Sequence, residues 1–251
     1  MKANFGSEFM NKTKGPELST SDQISGAAAQ PPLELPFPAD GQIIALPAPA
    51  EIQVPPLDVR IAIEQRRSLR KYAPEGLTLA ELSYLLWTSQ GVKKVSKRPA
   101  TLRTVPSAGA RHAFETYLLI NRVEGLKPGL YRYLAIENSL LELDLSPDIN
   151  ARITHACAEQ SQVAESAATF IWVAVVERMY WRYVERGYRY LHLDAGHVCQ
   201  NLALAAEQIG GGICPIAAFY DDEFSRVLGI DGENQFVIYL ASMGKKNVTA
   251  V

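Results

Sequence analysis

Cysteine is scarce in this chain of 251 residues: Cys157, Cys199 and Cys214 are odd in number, widely spaced and form no CxxC pair. Neither a disulfide framework nor a thiolate zinc site is indicated. Histidine is nearly as scarce, with His112, His155, His192 and His197. The last two stand five apart, whereas a helix brings metal ligands to one face at spacings of three or four. No metal site is expected. Nowhere does the chain contain the run of about 18–20 apolar residues that spans a bilayer. It also lacks a basic excess, with a formal charge of −2, so nucleic acid is not an expected partner. The glycine-rich fingerprint of a dinucleotide-binding Rossmann domain is missing, and no internal repeat is visible.

What is present is a composition with ample material for one core, 47% hydrophobic and 21% charged. Residues 1–9 end in Gly-Ser-Glu-Phe before Met10 and resemble a cloning scar. No basic segment followed by an apolar run and a cleavage site precedes the rest, and a cytoplasmic protein is expected. Residues 10–57 form a Pro/Ala-rich tail. The prolines between Ala27 and Pro56 preclude regular helix and favour extended chain. Ile43, Ile44 and Ile52 within it suggest a tail laid along a surface, a partner subunit's included; a disordered leader is the alternative. The folded domain is placed at residues 58–251.

Within that domain, Asp58 caps a first helix that ends near Arg66, and Thr78 with Glu81 forms a capping box for a second, Leu79 to Gln90, stopped by Gly91. Residues 92–103, with five basic residues and a proline, read as a mobile loop. Phe114 to Ile120 is a strand, and Gly129 to Leu134 with Ser139 to Asp144 makes a hairpin. Residues 148–168 read as helical. The run Thr169 to Val176 is a central strand covered on both faces. The longest helix is expected from Tyr188 to Ile209, its wide apolar face (Leu191, Ala195, Val198, Leu202, Ala205, Ala206) suited to close helix packing. A strand from Ile213 to Phe219, a short helix from Asp222 and a last strand from Gln235 to Ala241 complete an α+β order.

Three segments carry chemistry. Arg66, Arg67, Ser68 and Arg70 form a compact anion-binding set, because planar guanidinium forks match phosphate oxygens two at a time; taken alone, the segment reads equally as a charged helix end. Pro106-Ser107-Ala108-Gly109, followed by Ala110, Arg111 and His112, has the small side chains that let a flat ligand approach, or that make a tight turn. Gly210-Gly211-Gly212, before Cys214, exceeds what a helix end needs and can aim backbone N–H groups at a ligand. Cys214 reads as a small buried residue, since nothing beside it would activate a nucleophile. Tyr180, Trp181, Tyr183, Tyr188 and Tyr190 line a pocket for planar molecules or serve packing; the two readings stay open.

In this order the segments resemble the FMN-dependent nitroreductase superfamily, and within it the SagB-type dehydrogenase branch, named for oxidases of peptide thiazolines and oxazolines. The resemblance covers about residues 55–246 and includes Tyr188 to Leu202, Gly211 to Ala217 and the terminal Gly-Lys. It implies a nitroreductase-like fold, a central, mostly antiparallel sheet surrounded by helices, with the long helix at a homodimer interface. It further implies that the FMN phosphate is held by Arg66, Arg67, Ser68 and Arg70, aided by Lys245 or Lys246. Pro106, Ser107, Ala108 and Gly109 would lie along the ring and ribityl chain, with Gly211 and Gly212 near flavin N5 and O4. The implied activity is flavin reduction by NAD(P)H and reoxidation by a nitroaromatic, quinone or similar small molecule. The alternatives are azoline dehydrogenation, or a flavin-binding or flavin-fragmenting protein without dehydrogenase turnover. Where azoline oxidases have a lysine and tyrosine as proton-transfer groups, Arg182 and Tyr183 stand here, and an arginine is a poor general base.

Overall fold

A strand apolar along its whole length is stable only when both of its faces are covered, and one such run organises the molecule. The computed structural model describes residues 4–247; residues 1–3 of the expected scar and the last four residues of the expected 58–251 domain lie outside the described residues. Helices α1 (Phe5–Lys12) and α2 (Asp22–Ser25) precede strand β1 (Ile43–Ala45) and helices α3 (Val59–Gln65) and α4 (Leu79–Gln90). Strands β2 (Val92–Val95), β3 (Thr101–Arg103), β4 (Phe114–Ile120), β5 (Gly129–Leu134) and β6 (Ser139–Asp144) follow. Helices α5 (Ile149–Ala156) and α6 (Ser161–Ala164) lead to strand β7 (Ala168–Val175). Helices α7 (Val176–Tyr183) and α8 (Gly187–Gln208), strand β8 (Gly211–Ile216), helix α9 (Asp221–Leu228) and strand β9 (Gln235–Lys245) complete the order.

Seven strands form one sheet in the order β1-β6-β5-β4-β7-β9-β8, with every neighbouring pair antiparallel. Alternation along β7 assigns the two faces: Phe170, Trp172 and Ala174 pack with α4 and α8, Ile171 and Val173 with α5 and α9. The expected caps form, with Asp58 accepting from Arg60 N and Ile61 N, and Thr78 and Glu81 bonded reciprocally at 3.1 and 3.0 Å. Gly91 does end α4, but at φ −60°; its bare backbone is needed because a Cβ would collide with Trp87.

Residues 92–103 are not a loop. Val92–Val95 and Thr101–Arg103 pair as a hairpin, offset by a bulge between Val92 and Lys94. Val176, expected as the last residue of the central strand, instead opens a helix, and residues 177–183, unassigned in the sequence, continue it. The helical stretch after residue 148 is broken at Ala158 and Glu159, both at positive φ. The apolar positions of α8, Leu191, Ala195, Val198, Leu202, Ala205 and Ala206, are buried against the sheet of the same chain. Leu193, Gly196, His197 and Gln200 form its exposed side.

The proline-rich segment lies along the domain. Ile43–Ala45 pairs with β6, and residues 32–36 are held by buried polar groups: Arg178 Nε donates to Pro32 O at 2.8 Å, Leu35 N donates to Glu115 Oε1 at 2.8 Å, and Arg132 Nη2 donates to Leu35 O at 3.0 Å. Arg178 and Glu115, each only 3% exposed, pair with one another. Glu34 Oε1 accepts from Ala135 N at 2.7 Å and Ile136 N at 3.2 Å. Burial first, and the Glu115 charge second, push the Glu34 carboxyl up to about 7.

That position makes stability depend on pH. A carboxyl whose folded value lies near 7, against an ordinary 4.5, keeps a proton that the unfolded chain releases. Its contribution is complete below the unfolded value and is lost as pH rises through the folded one. Thermal denaturation of Glu34→Gln and of the wild type between about pH 5 and pH 8 should show the variant gaining on the wild type as pH rises. The margin should be equivalent to roughly 1–2 kcal/mol, after allowing for solvent screening. A difference constant across that range contradicts the assignment.

Candidate functional site

Two constraints bring the arginine-rich segment to the edge of the sheet. Arg66 leaves α3 with ψ 124°, and the extended chain beyond it runs across the ends of β8 and β9. Leu69 N donates to Ile213 O at 2.8 Å, and Ala73 N donates to Lys245 O at 3.0 Å. The side chain of Leu69 lies over Gly212, where a Cβ would come within 3.0 Å, and the Tyr72 ring lies over Gly244, where a Cβ would come within 2.6 Å. These glycines are bare because another segment packs on them. Tyr72 and Ser242 share a hydrogen bond between their hydroxyls at 2.8 Å, and burial raises the Tyr72 pKa.

Arg67, Ser68 and Arg70 are exposed at this corner and Arg66 is half-buried. Among the described residues no carboxylate lies within 4.0 Å of any of the three arginines. Gly211 and Gly212 are buried inside β8, opposite Lys245 and Gly244, rather than in an open loop. Lys245 and Lys246 reach the same corner already neutralised. Lys245 Nζ pairs with Glu81 and donates to Ile209 O at 2.8 Å, and Lys246 pairs with Glu207. Both charges are met by acids, Glu81 at the start of α4 and Glu207 at the end of α8. Cys214 is 2% exposed, and its thiol is pushed up mainly by burial, as expected of an inert thiol.

A second group gathers at the start of α8. After an extended Ser107, residues Ala108–Ala110 make one tight turn with Gly109 at φ 57°. Asp194, 4% exposed, accepts from Ala108 N at 3.3 Å through both carboxylate oxygens. Ser107 Oγ accepts in turn from His112 N at 2.9 Å. Burial raises the Asp194 pKa, while the bonds from Ser107 and Ala108 oppose the rise. Asp194 was not singled out in the sequence. The available signal was an acid on the apolar face of α8, three residues after Leu191 and four before Val198, where a carboxylate needs dedicated donors.

Arg182 and Tyr183 close on the same turn. A Cβ on Gly109 would lie 2.5 Å from Tyr183 Oη and 2.8 Å from Arg182 Nε. The Arg182 guanidinium sits 5.5 Å from the Tyr183 ring centroid, and Tyr183 meets Tyr190 edge to face at 4.9 Å. His112 is held neutral: burial, then Arg103 and Arg111, push its pKa down to about 3.

The structure therefore sorts the residues singled out in the sequence into two groups. Arg66, Arg67, Ser68, Arg70, Gly211, Gly212, Lys245 and Lys246 meet at the β8–β9 corner. Pro106–Gly109, Arg182 and Tyr183 meet where α7 gives way to α8. Among the described residues no hydrogen bond or ion pair joins the two. The first group offers unpaired guanidinium groups suited to a phosphate, and the second a small-residue turn walled by aromatic rings.

Residues 63–245 match the nitroreductase family, and the chain belongs to it. It is 34% identical over 200 residues to a protein of Methanocaldococcus jannaschii that carries the nitroreductase name, a match covering 78% of this chain and 96% of that one. It is 30% identical over 112 residues to the trifolitoxin-processing protein of Rhizobium leguminosarum bv. trifolii, covering 43% of this chain and 30% of that one. A crystal structure of a nitroreductase-named protein from Anabaena variabilis superposes with a TM-score of 0.68 at 29% identity, over 83% of this chain and 42% of that one. The nitroreductase fold expected from the sequence is the fold observed.

The contact at Gly109 gives a direct test. Gly125 also has positive φ, 81°, but nothing lies within 4 Å of where its Cβ would be. Gly125→Ala should cost about 1 kcal/mol from backbone strain alone. Gly109→Ala adds a clash with Tyr183 and Arg182 and should cost roughly 2–4 kcal/mol. Chemical denaturation of both variants measures this, and equal losses would mean that the close approach places no demand on Gly109.

Proposed function

We propose that the chain is an FMN-dependent oxidoreductase, reduced by NAD(P)H and reoxidised by a nitroaromatic, quinone or similar small molecule. The observation that carries the reading is the set of unpaired arginines docked by Leu69 and Tyr72 at the β8–β9 corner. Elsewhere in this chain Lys245 is paired with Glu81 and Arg178 with Glu115. Arg66, Arg67 and Arg70 have no such partner among the described residues, which is the state of a site that receives its anion from outside.

In this reading Arg66, Arg67, Ser68 and Arg70 bind the phosphate of FMN. Pro106, Ser107, Ala108 and Gly109 line its ring and ribityl chain, held in shape by Asp194, and Gly211 and Gly212 offer backbone beside it. FMN, when bound, supplies a two-electron carrier between a nicotinamide and the second substrate. Arg182 orients or binds; Tyr183, whose hydroxyl stands at Gly109, is the group with an O–H to donate. The two clusters are brought to one flavin across a homodimer. The exposed Val59, Ile61 and Ile63 of α3 and Leu193 of α8 are the apolar residues such an interface would bury. We place the protein in the cytoplasm, where its three free, buried thiols remain reduced. Among the described residues no helix is long and apolar enough to cross a membrane.

A second reading, dehydrogenation of a peptide azoline with electrons leaving to oxygen, is favoured by the similarity to a protein named for toxin processing and disfavoured by arginine at position 182.

The purified protein should be yellow, with the spectrum of oxidised flavin. Arg66→Ala and Arg70→Ala should each weaken FMN retention about 10- to 100-fold, the value of one or two hydrogen bonds to a charged group. Lys93→Ala, at an exposed position, should not. A colourless protein that cannot be reconstituted, or equal retention in all three variants, would refute the cofactor site. Anaerobic mixing with NADH or NADPH should bleach the flavin band; a band that neither bleaches would leave the dehydrogenase direction as the better reading.

A further inference from the structure

Arg111 is the one buried arginine among the described residues that neither pairs with a carboxylate nor fixes a distant segment. It is 6% exposed, and its one hydrogen bond runs from Nε to Gly109 O at 3.2 Å. Arg103, buried to the same degree, donates to Gln90 and Thr101, and Arg178 pairs with Glu115. Arg182 approaches the same glycine, its Nε 2.8 Å from the place of a Cβ. It too has no carboxylate within 4.0 Å among the described residues. Two guanidinium groups thus converge on one residue of the turn assigned above to the flavin, with no acid between them. Their like charges, with that of Arg98 on the β2–β3 turn, act with burial to push the Arg111 pKa down.

The surroundings define what would relieve this. The Arg111 guanidinium lies 5.4 Å from the Trp181 ring centroid, and that of Arg182 lies 5.5 Å from the Tyr183 ring. Trp181 is fixed from behind by a bond from Nε1 to Ala28 O at 2.9 Å. Flat aromatic walls carrying guanidinium groups suit a planar ring that bears an oxyanion. The ring stacks while the charge is met by donors that have surrendered part of their hydration.

We propose that Arg111 and Arg182, converging on Gly109, form an anion subsite that selects, as second substrate, a planar aromatic compound carrying a carboxylate. The proposal rests on the flavin reading given above and names the substrate class of that site. The cofactor phosphate already has its own arginines at the β8–β9 corner, so this pair is left for the molecule that exchanges electrons with the flavin.

Benzoate, which cannot be reduced, tests binding apart from turnover. Calorimetric titration of the FMN-loaded protein should show benzoate binding, with benzamide weaker. In Arg182→Gln and in Arg111→Gln the preference for benzoate over benzamide should fall about tenfold or more, the loss expected for a charge-assisted hydrogen bond. Arg182 is half-buried, so its variant carries the test if Arg111→Gln fails to fold. Unchanged preference in Arg182→Gln, or no benzoate binding to the wild type, would overturn the proposal. A parallel loss of FMN in Arg182→Gln would also overturn it, by assigning the pair to the cofactor. Loss of ADP affinity in place of benzoate affinity would assign the pair to the nucleotide donor and equally overturn it. Should the protein hold no flavin, the same titration of the flavin-free chain still reads the arginine pair. The cofactor reading and the subsite therefore fail separately.

Discussion

Leu69 and Tyr72 dock where β8 and β9 carry no side chains, and the position of the anion-binding groups follows from that contact. Neither residue could lie as it does if Gly212 or Gly244 had a Cβ. Two backbone hydrogen bonds, from Leu69 to Ile213 and from Ala73 to Lys245, then fix the register of the segment between them. The arginines of the segment face solvent because Leu69 and Tyr72 face the sheet. A flexible, strongly charged stretch is held in one place by apolar packing, and its charges need no structural partner.

The distribution of charge separates two uses. Several cations that hold the fold together are paired: Arg178 with Glu115 beneath the N-terminal segment, Lys245 with Glu81, Lys246 with Glu207. Leaving one member of such a pair alone in the interior is costly. Arginines without an acid partner among the described residues include Arg66, Arg67 and Arg70 at the β8–β9 corner and Arg111 and Arg182 at the turn beside Gly109.

Much of the fold was legible in the sequence, for identifiable reasons. Phe114–Ile120 and the strand after residue 168 are uninterrupted apolar runs, and Thr78 with Glu81 marks a helix start by its own chemistry. The hairpin at residues 92–103 was not legible, because its lysines and proline outweigh Val92 and Val95 and its pairing is interrupted by a bulge. The helix at 176–183 was hidden by aromatic and charged residues that serve contacts distant in sequence. For the site, residue types were readable and neighbours were not. Arg182 and Tyr183 meet Gly109 across more than 70 residues of chain, and the lysines at 245 and 246 gave no sign of the acids that claim them. Asp194 was overlooked because an acid within an apolar helix reads as an exception rather than as a clamp.

The sheet has two edges, and each is closed differently. Beyond β6 the three-residue β1 is too short to template another strand. Beyond β8 the free edge is capped by the arginine segment, through the Leu69 bond to Ile213. That main-chain bond occupies the edge, and the exposed charges of Arg67 and Arg70 on either side of it oppose edge-to-edge pairing. On the reading proposed above, one short segment would serve both the ligand and the protection of the sheet edge.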